Sequence, residues 1–203
     1  MIVDALIAIG IGYFLGSIPF GLLLTRFAGL GDIRDIGSGN IGATNVLRTG
    51  NKWLAIATLL LDAGKAALAV VIVRMIFPDV PYIASISATA GMFAFIGHLF
   101  PVWLGFKGGK GVATYIGALL VINLTAGLVF CGMWLFFAYA FRISSLAALS
   151  AAGAAPFVAF IFSGFELAGI TLIMSLLLFY KHIANIKRLG AGTEPSFDKK
   201  KEK

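Results

Sequence analysis

The sequence predicts an all-α integral membrane protein with seven transmembrane helices, and three observations carry that prediction. Apolar residues make up 60% of the 203 residues and charged residues only 12%, where a soluble domain carries about 45–50% and about 25%. Mean hydropathy is +0.97. Several apolar runs are long enough to cross a hydrocarbon core of about 30 Å, and the order of the basic residues fixes which ends of those runs share a side. A single cysteine forbids an intrachain disulfide and argues against a cysteine-based metal site.

The first apolar run covers 2–28 and stays continuous in hydropathy across Pro19. It reads as a retained span and not as a cleavable signal peptide, because Arg26 and Arg34 follow its apolar part. The second run, 53–77, holds Asp62 and Lys65 at mid-depth, and the third covers 82–104. Residues 112–141 form the longest run, followed by 143–162 and the short 165–180.

The run 112–141 is too long for one crossing: as a single helix it measures about 45 Å at about 1.5 Å per residue. Charge parity decides how it is divided. Arg34, Arg48 and Lys52 mark the 30–52 segment as cytoplasmic, and Lys107 and Lys110 then fall on the same side. One crossing by 112–141 would put Arg142 and the lysine-rich C-terminal segment outside, against the positive-inside rule. A hairpin of helices 4 and 5 within 112–141, bent near 123–125, places every basic residue except Lys65 and Arg74 inside or bordering it. The N-terminus is then outside and the C-terminus cytoplasmic. Residues 1–194 form one membrane domain, and 195–203 a basic cytoplasmic tail that is disordered or touches lipid.

Four polar segments gather on the cytoplasmic side. They are Gly37-Ser38-Gly39-Asn40-Ile41-Gly42-Ala43-Thr44-Asn45-Val46-Leu47-Arg48; Gly97-His98 with Phe106-Lys107-Gly108-Gly109-Lys110-Gly111-Val112-Ala113-Thr114; Arg142-Ile143-Ser144-Ser145; and 182–194, beginning His182-Ile183-Ala184-Asn185-Ile186-Lys187-Arg188. Glycines let successive backbone N–H groups converge on an anion, flanking Arg and Lys add full charges, and a helix starting at Val112 offers its positive end. Such loops at a membrane edge suit phosphate groups attached to something greasy.

Plainer readings compete. Gly37-x-Gly39-x-x-Gly42 matches a dinucleotide fingerprint, but a membrane helix precedes it where a strand is required. No Walker-type phosphate loop occurs. Glycine loops also serve as tight turns and their lysines also set topology; that reading suffices for one loop but not for three polar segments on one side. His98 reads either as functional or as a structural partner of a backbone carbonyl beside Pro101. His182 is the stronger candidate, since Asn185 and Arg188 follow at helical spacing. Asp62 and Lys65, three apart, read as a structural ion pair and not as a proton relay, and Cys131 reads as core. No metal or cofactor site is visible.

Together the strings GSGNIGATNVLR (37–48), GH (97–98) with FKGGKGVAT (106–114), and HIANIKRLGAGTE (182–194) resemble the bacterial acyl-phosphate:glycerol-3-phosphate acyltransferase family over nearly the whole chain. The resemblance implies a seven-helix enzyme of the bacterial inner membrane with its site facing the cytoplasm. It implies transfer of a fatty acyl group from acyl phosphate to the 1-hydroxyl of glycerol 3-phosphate, giving lysophosphatidic acid and phosphate, the start of phospholipid synthesis. The expected partners are these two substrates and membrane lipids, with no nucleic acid and no cofactor. The chain is expected to be a monomer, with an acyl-phosphate-producing enzyme as functional partner. The HxxxxD signature of thioester-dependent glycerophosphate acyltransferases is absent, as is a Gly-x-Ser-x-Gly elbow.

On this resemblance Ser38, Gly39, Asn40, Gly42, Thr44, Asn45, Lys107, Gly108, Gly109, Lys110 and Gly111 bind the acyl phosphate. Arg48, Lys107, Ser145, His182, Asn185 and Arg188 bind glycerol 3-phosphate, and the catalytic groups are Ser38, Asn40, Lys107 and His182. The 142–145 turn fits less securely, since Ser144 and Ser145 compete for its role. Transfer is expected to be direct, with backbone N–H groups around 38–42 and the two loop lysines stabilising the tetrahedral carbonyl. The proton goes to the acyl phosphate's own oxygen or to His182. The rival reading from another class is a transporter or flippase for an anionic phosphate compound. Against it, no repeat of the glycine motifs appears between the two halves.

Overall fold

A computed structural model describes residues 1–197; residues 198–203 of the expected basic tail lie outside the described residues. Among the described residues all regular structure is helical, without strands. Five helical stretches are long and apolar enough to cross a membrane: Ile2–Phe27, Lys52–Ile76, Ile83–Leu104, Leu124–Phe141 and Ser144–Lys181. The chain forms two compact units, Met1–Leu124 and Thr125–Lys203.

In the first unit, α1 (Ile2–Gly16) leads through Pro19 into α2 (Phe20–Phe27). The break follows from proline, which has no N–H to give to a continuing helix. After a loop come the short α3 (Ala43–Val46), then α4 (Lys52–Ile76), α5 (Ile83–Leu99) and α6 (Val112–Ile122). α1 packs closely along α5 because Gly12 and Gly16 face Ala90 and Ala94, and a methyl group at either glycine would strike the α5 backbone. This is the small-residue packing that lets membrane helices approach. Tyr82 Oη donates to Asp4 Oδ2 at one end of the pair (2.6 Å) and Tyr13 Oη to the Phe100 carbonyl at the other (2.8 Å). The two helices therefore run parallel.

α4 runs the opposite way: its Val73, near the C-terminal end, packs with Ala8, Ile86 and Ala90 near the starts of α1 and α5. At its N-terminus Asn51 caps the helix, accepting from the Leu54 N–H at 3.1 Å. α6 lies against α4 through Gly117 and Ala63. Arg74 donates to the Val121 carbonyl at 3.0 Å, placing a cation at the negative end of α6. The helix stops at Asn123, which is extended (φ −146, ψ 103). The division of the 112–141 run expected at 123–125 therefore falls on this residue.

The second unit holds α7 (Leu124–Phe141), α8 (Ser144–Lys181) and α9 (Ile183–Gly190). α8 is broken inside at Gly164 (φ 78, ψ −170), a backbone geometry open essentially to glycine. Its arms fold back on each other: Ser175 Oγ donates to the Ala152 carbonyl at 2.6 Å, and the Phe160 and Phe165 rings meet edge-on at 4.6 Å. The apolar runs 143–162 and 165–180 correspond to these arms. Large apolar side chains such as Leu60, Tyr139, Phe157 and Phe165 face outward, as a lipid-embedded surface requires and a soluble one avoids.

Candidate active site

At the end of the first unit where α4 begins, the 37–48 loop is built around one buried side chain. Asn45 is 2% exposed. Its Nδ2 donates to the carbonyls of Ile33, Ile36 and Asn40 at 2.8–3.0 Å. Its Oδ1 accepts from the Ser38 N–H at 3.0 Å and the Ser38 hydroxyl at 3.3 Å, with Arg48 Nη1 at 3.4 Å. Gly37 has φ +59, and a methyl group there would meet both Asn45 Oδ1 and the Arg48 side chain, so glycine is required by backbone and by space. Ile33, Ile41 and Val46 anchor the loop in a core with Leu22 and Ala55, and Leu104 packs against that same core. The segments around 37–48 and 102–111 therefore lie at one end of this unit, as charge parity requires.

Several of the loop amides expected at the donor have partners within the protein. The Ser38 N–H donates to Asn45, the Gly42 N–H to Asn40 Oδ1 at 3.0 Å, and the Gly39 N–H to the Ile36 carbonyl at 3.1 Å. The Gly108 N–H donates to Leu99 O at 3.2 Å and the Gly109 N–H to His98 O at 3.0 Å. These bonds hold the loops in shape. Asn45, expected at the donor, braces the loop. Ser38 and Thr44 remain on the exposed side of the loop and Asn40 is half-buried.

Charge accounting separates topological cations from available ones. Asp32 Oδ1 and Oδ2 take the Arg34 guanidinium at 2.9 and 2.6 Å, and Arg26 adds a bond at 2.7 Å. The hydrogen bonds from Arg34 hold the Asp32 carboxyl far below the usual carboxylate range, against the cost of its partial burial. Arg48 and Lys107 are exposed, and neither has a carboxylate partner among the described residues. Gly111, with φ +82, opens α6 directly after Lys107-Gly108-Gly109-Lys110, and the first turn of a helix leaves N–H groups without intrahelical partners.

Beneath the lysine loop, Lys65 Nζ meets Asp62 Oδ1 at 2.8 Å, the ion pair expected from spacing. It also reaches His98 Nδ1 at 2.9 Å, a partner that the spacing did not announce.

In the second unit, the 142–145 turn and the α9 segment lie at one end, joined by the Phe197 N–H donating to the Arg142 carbonyl at 2.8 Å. Three expected site residues meet there on one carboxylate. Glu194 Oε1 accepts from Ser145 Oγ at 2.7 Å and Asn185 Nδ2 at 2.5 Å, and Oε2 accepts from Arg188 Nε at 2.6 Å. Between the two serines, Ser145 is the one engaged. Burial works against the Glu194 charge, but the bonds from Ser145, Asn185 and Arg188 together outweigh it, so its pKa lies below the ordinary value. Buried His182 has Nδ1 at 2.8 Å from the Leu178 carbonyl. A carbonyl only accepts, so Nδ1 carries a proton. The sequence reading gave Glu194 no role. Its signal was a lone acidic residue closing a basic segment, six positions after Arg188.

The profile of the family described as glycerol-3-phosphate acyltransferase matches residues 6–192. The chain is 58% identical over 189 residues to the glycerol-3-phosphate acyltransferase of Mesorhizobium japonicum, covering 93% of this chain and 94% of that protein. It is 55% identical over 197 residues to that of Maricaulis maris, covering 97% and 89%. Among solved structures it is similar to the crystal structure of PlsY (YgiH), an integral membrane glycerol 3-phosphate acyltransferase. The glycerol 3-phosphate form superposes with a TM-score of 0.87 at 33% identity and the lysophosphatidic acid form with 0.83, each covering 95% of both chains.

Proposed function

The chain belongs to the glycerol-3-phosphate acyltransferase family, and on that premise we propose that its acyl donor is an acyl phosphate and that the acyl group passes directly to glycerol 3-phosphate. The product is lysophosphatidic acid, the start of phospholipid synthesis. Seven crossings are reached by counting α1 with α2, then α4, α5, α6, α7 and the two arms of α8. The N-terminus is outside, the C-terminus and the site face the cytoplasm of a bacterial inner membrane, and residues 1–194 act as one catalytic domain, working as a monomer. An enzyme that makes acyl phosphate is its functional partner.

An acyl phosphate is a mixed anhydride with a good leaving group, so the protein needs to position and neutralise more than to activate. Lys107, Lys110, the Ser38 hydroxyl and the open first turn of α6 hold the donor phosphate and the oxygen that becomes negative. The sequence resemblance assigns Arg48, Ser145, His182, Asn185 and Arg188 to glycerol 3-phosphate, and within the second unit Glu194 fixes the rotamers of Ser145, Asn185 and Arg188. The 1-hydroxyl oxygen bonds to the acyl carbon, the carbon–oxygen bond to phosphate breaks, and the hydroxyl proton leaves on the phosphate or on His182 Nε2. Because the amides of Ser38, Gly39, Gly42, Gly108 and Gly109 are already bonded, the stabilising charge comes from side chains and the helix end.

The observation that carries this reading is the pair of glycine–basic loops at one end of an apolar helical unit, with Arg48 and Lys107 unmatched by any described carboxylate. Detergent-purified protein, radiolabelled glycerol 3-phosphate and palmitoyl phosphate test it. Lysophosphatidic acid and phosphate should form in equal amounts without a sealed compartment, and palmitoyl thioesters should not substitute. Turnover with the thioester alone, or activity confined to sealed vesicles, refutes the reading.

A further inference from the structure

Asp62 and Lys65 lie on α4 with side chains 3% and 1% exposed, inside a span where ionised groups are costly and commonly serve function. A mutual pair alone would meet their charges. Lys65 Nζ instead has three partners: Asp62 Oδ1 at 2.8 Å, the Ile18 carbonyl at 2.8 Å and His98 Nδ1 at 2.9 Å. An ammonium offers three N–H donors and accepts nothing, so His98 Nδ1 is the acceptor and the ring proton sits on Nε2. Asp62 Oδ1, at 3.5 Å from Nδ1, is beyond ordinary hydrogen-bond length.

The other edge of the imidazole faces the lysine loop. A methyl group on Gly109 would overlap His98 Nε2 and its neighbouring ring carbons, so the ring lies directly against the loop backbone. The main chain of the same residue holds that loop too, since the His98 carbonyl accepts the Gly109 N–H at 3.0 Å. One histidine thus touches the loop through ring and backbone, and an ion pair on α4 orients its ring.

We propose that Asp62 and Lys65 are positioning residues for the 107–111 loop, acting through His98. The Lys65 ammonium selects the Nε2–H tautomer and fixes the ring against Gly109, which holds Lys107 and Lys110 in one register toward the donor phosphate. This deepens the reading of 107–111 as the acyl-phosphate loop and rests on it.

Two measurements on the full-length detergent-purified protein decide the matter. In spectra of protein labelled with 15N-histidine, which has only two histidines to assign, His98 should be neutral at pH 7 with an unprotonated Nδ1. Its signals should move in Lys65→Met. A protonated Nδ1 overturns the proposal, and because no donor is present this arm also stands if acyl phosphate proves not to be the substrate.

In steady-state kinetics, Lys65→Met and His98→Ala should each raise KM for palmitoyl phosphate at least 10-fold while leaving KM for glycerol 3-phosphate within 3-fold. The double variant should lose no more than the worse single, as residues acting through one another require. His98→Gln, which returns an amide N–H near the Nε2 position, should recover part of the loss. Additive losses, or a fall in kcat with both KM values unchanged, overturn the proposal in favour of a purely structural pair. Asp62→Asn serves the same comparison if Lys65→Met does not fold.

Discussion

The two units treat charge at their polar ends in opposite ways. In the first, Asn45 ties the 37–48 loop to itself and to the carbonyls of Ile33 and Ile36, yet Arg48 and Lys107 have no carboxylate counter-ion among the described residues. In the second, Ser145, Asn185 and Arg188 already share the Glu194 carboxylate. A cation without a carboxylate beside a braced loop is ready for a ligand's charge, whereas a cluster closed on its own carboxylate is ordered before any ligand arrives. The first end spends its polar groups on shape and leaves its charge available; the second spends its charge on shape.

Breaking that contrast at its strongest point gives the largest effect. Lys107→Ala should lower kcat/KM by at least about 100-fold, the scale for deleting a group that stabilises developing charge, with an unchanged melting temperature. A comparable fall in melting temperature would move Lys107 from the site to the scaffold. Glu194→Gln should act the other way: the loss of its charge-assisted bonds, about 1–3 kcal/mol, lowers the melting temperature, and activity falls with it. Asn45→Asp replaces the Nδ2 amide group and its two N–H donors by one oxygen facing the Ile33, Ile36 and Asn40 carbonyls. It should cost about 1–3 kcal/mol through unmade buried bonds, read as faster proteolysis of the 37–48 loop.

The smallest effect concerns pH. Asp32 and Glu194 both have depressed values. The stability they add is present above the ordinary carboxylate range and is lost as pH falls through their lower folded values. Unfolding midpoints between pH 7 and 3 should therefore fall less in Glu194→Gln than in the parent chain. Asp32→Asn should change them by no more than about 1 kcal/mol equivalent, because its arginines are exposed.

Hydropathy was enough to locate the long helical stretches. The break at Asn123 lay inside the window set by length and charge parity, and Gly164 separated two runs that hydropathy had already divided. What spacing along the chain did not contain was contact between distant residues. His98 is 33 positions from Lys65, and Ser145 is 49 from Glu194. Neither distance has a helical or turn period to betray it. The loops were legible as glycine–basic motifs, but which amides were free was not. That depends on where Asn45, Asn40 and two α5 carbonyls point.

The contrast between the two ends is tested most directly by titrating a non-transferable acyl phosphonate into detergent-purified protein by calorimetry. The account predicts that Lys107→Ala weakens its binding at least 10-fold and Glu194→Gln by less than 3-fold. Unchanged affinity in Lys107→Ala, with a large loss in Glu194→Gln, would contradict it.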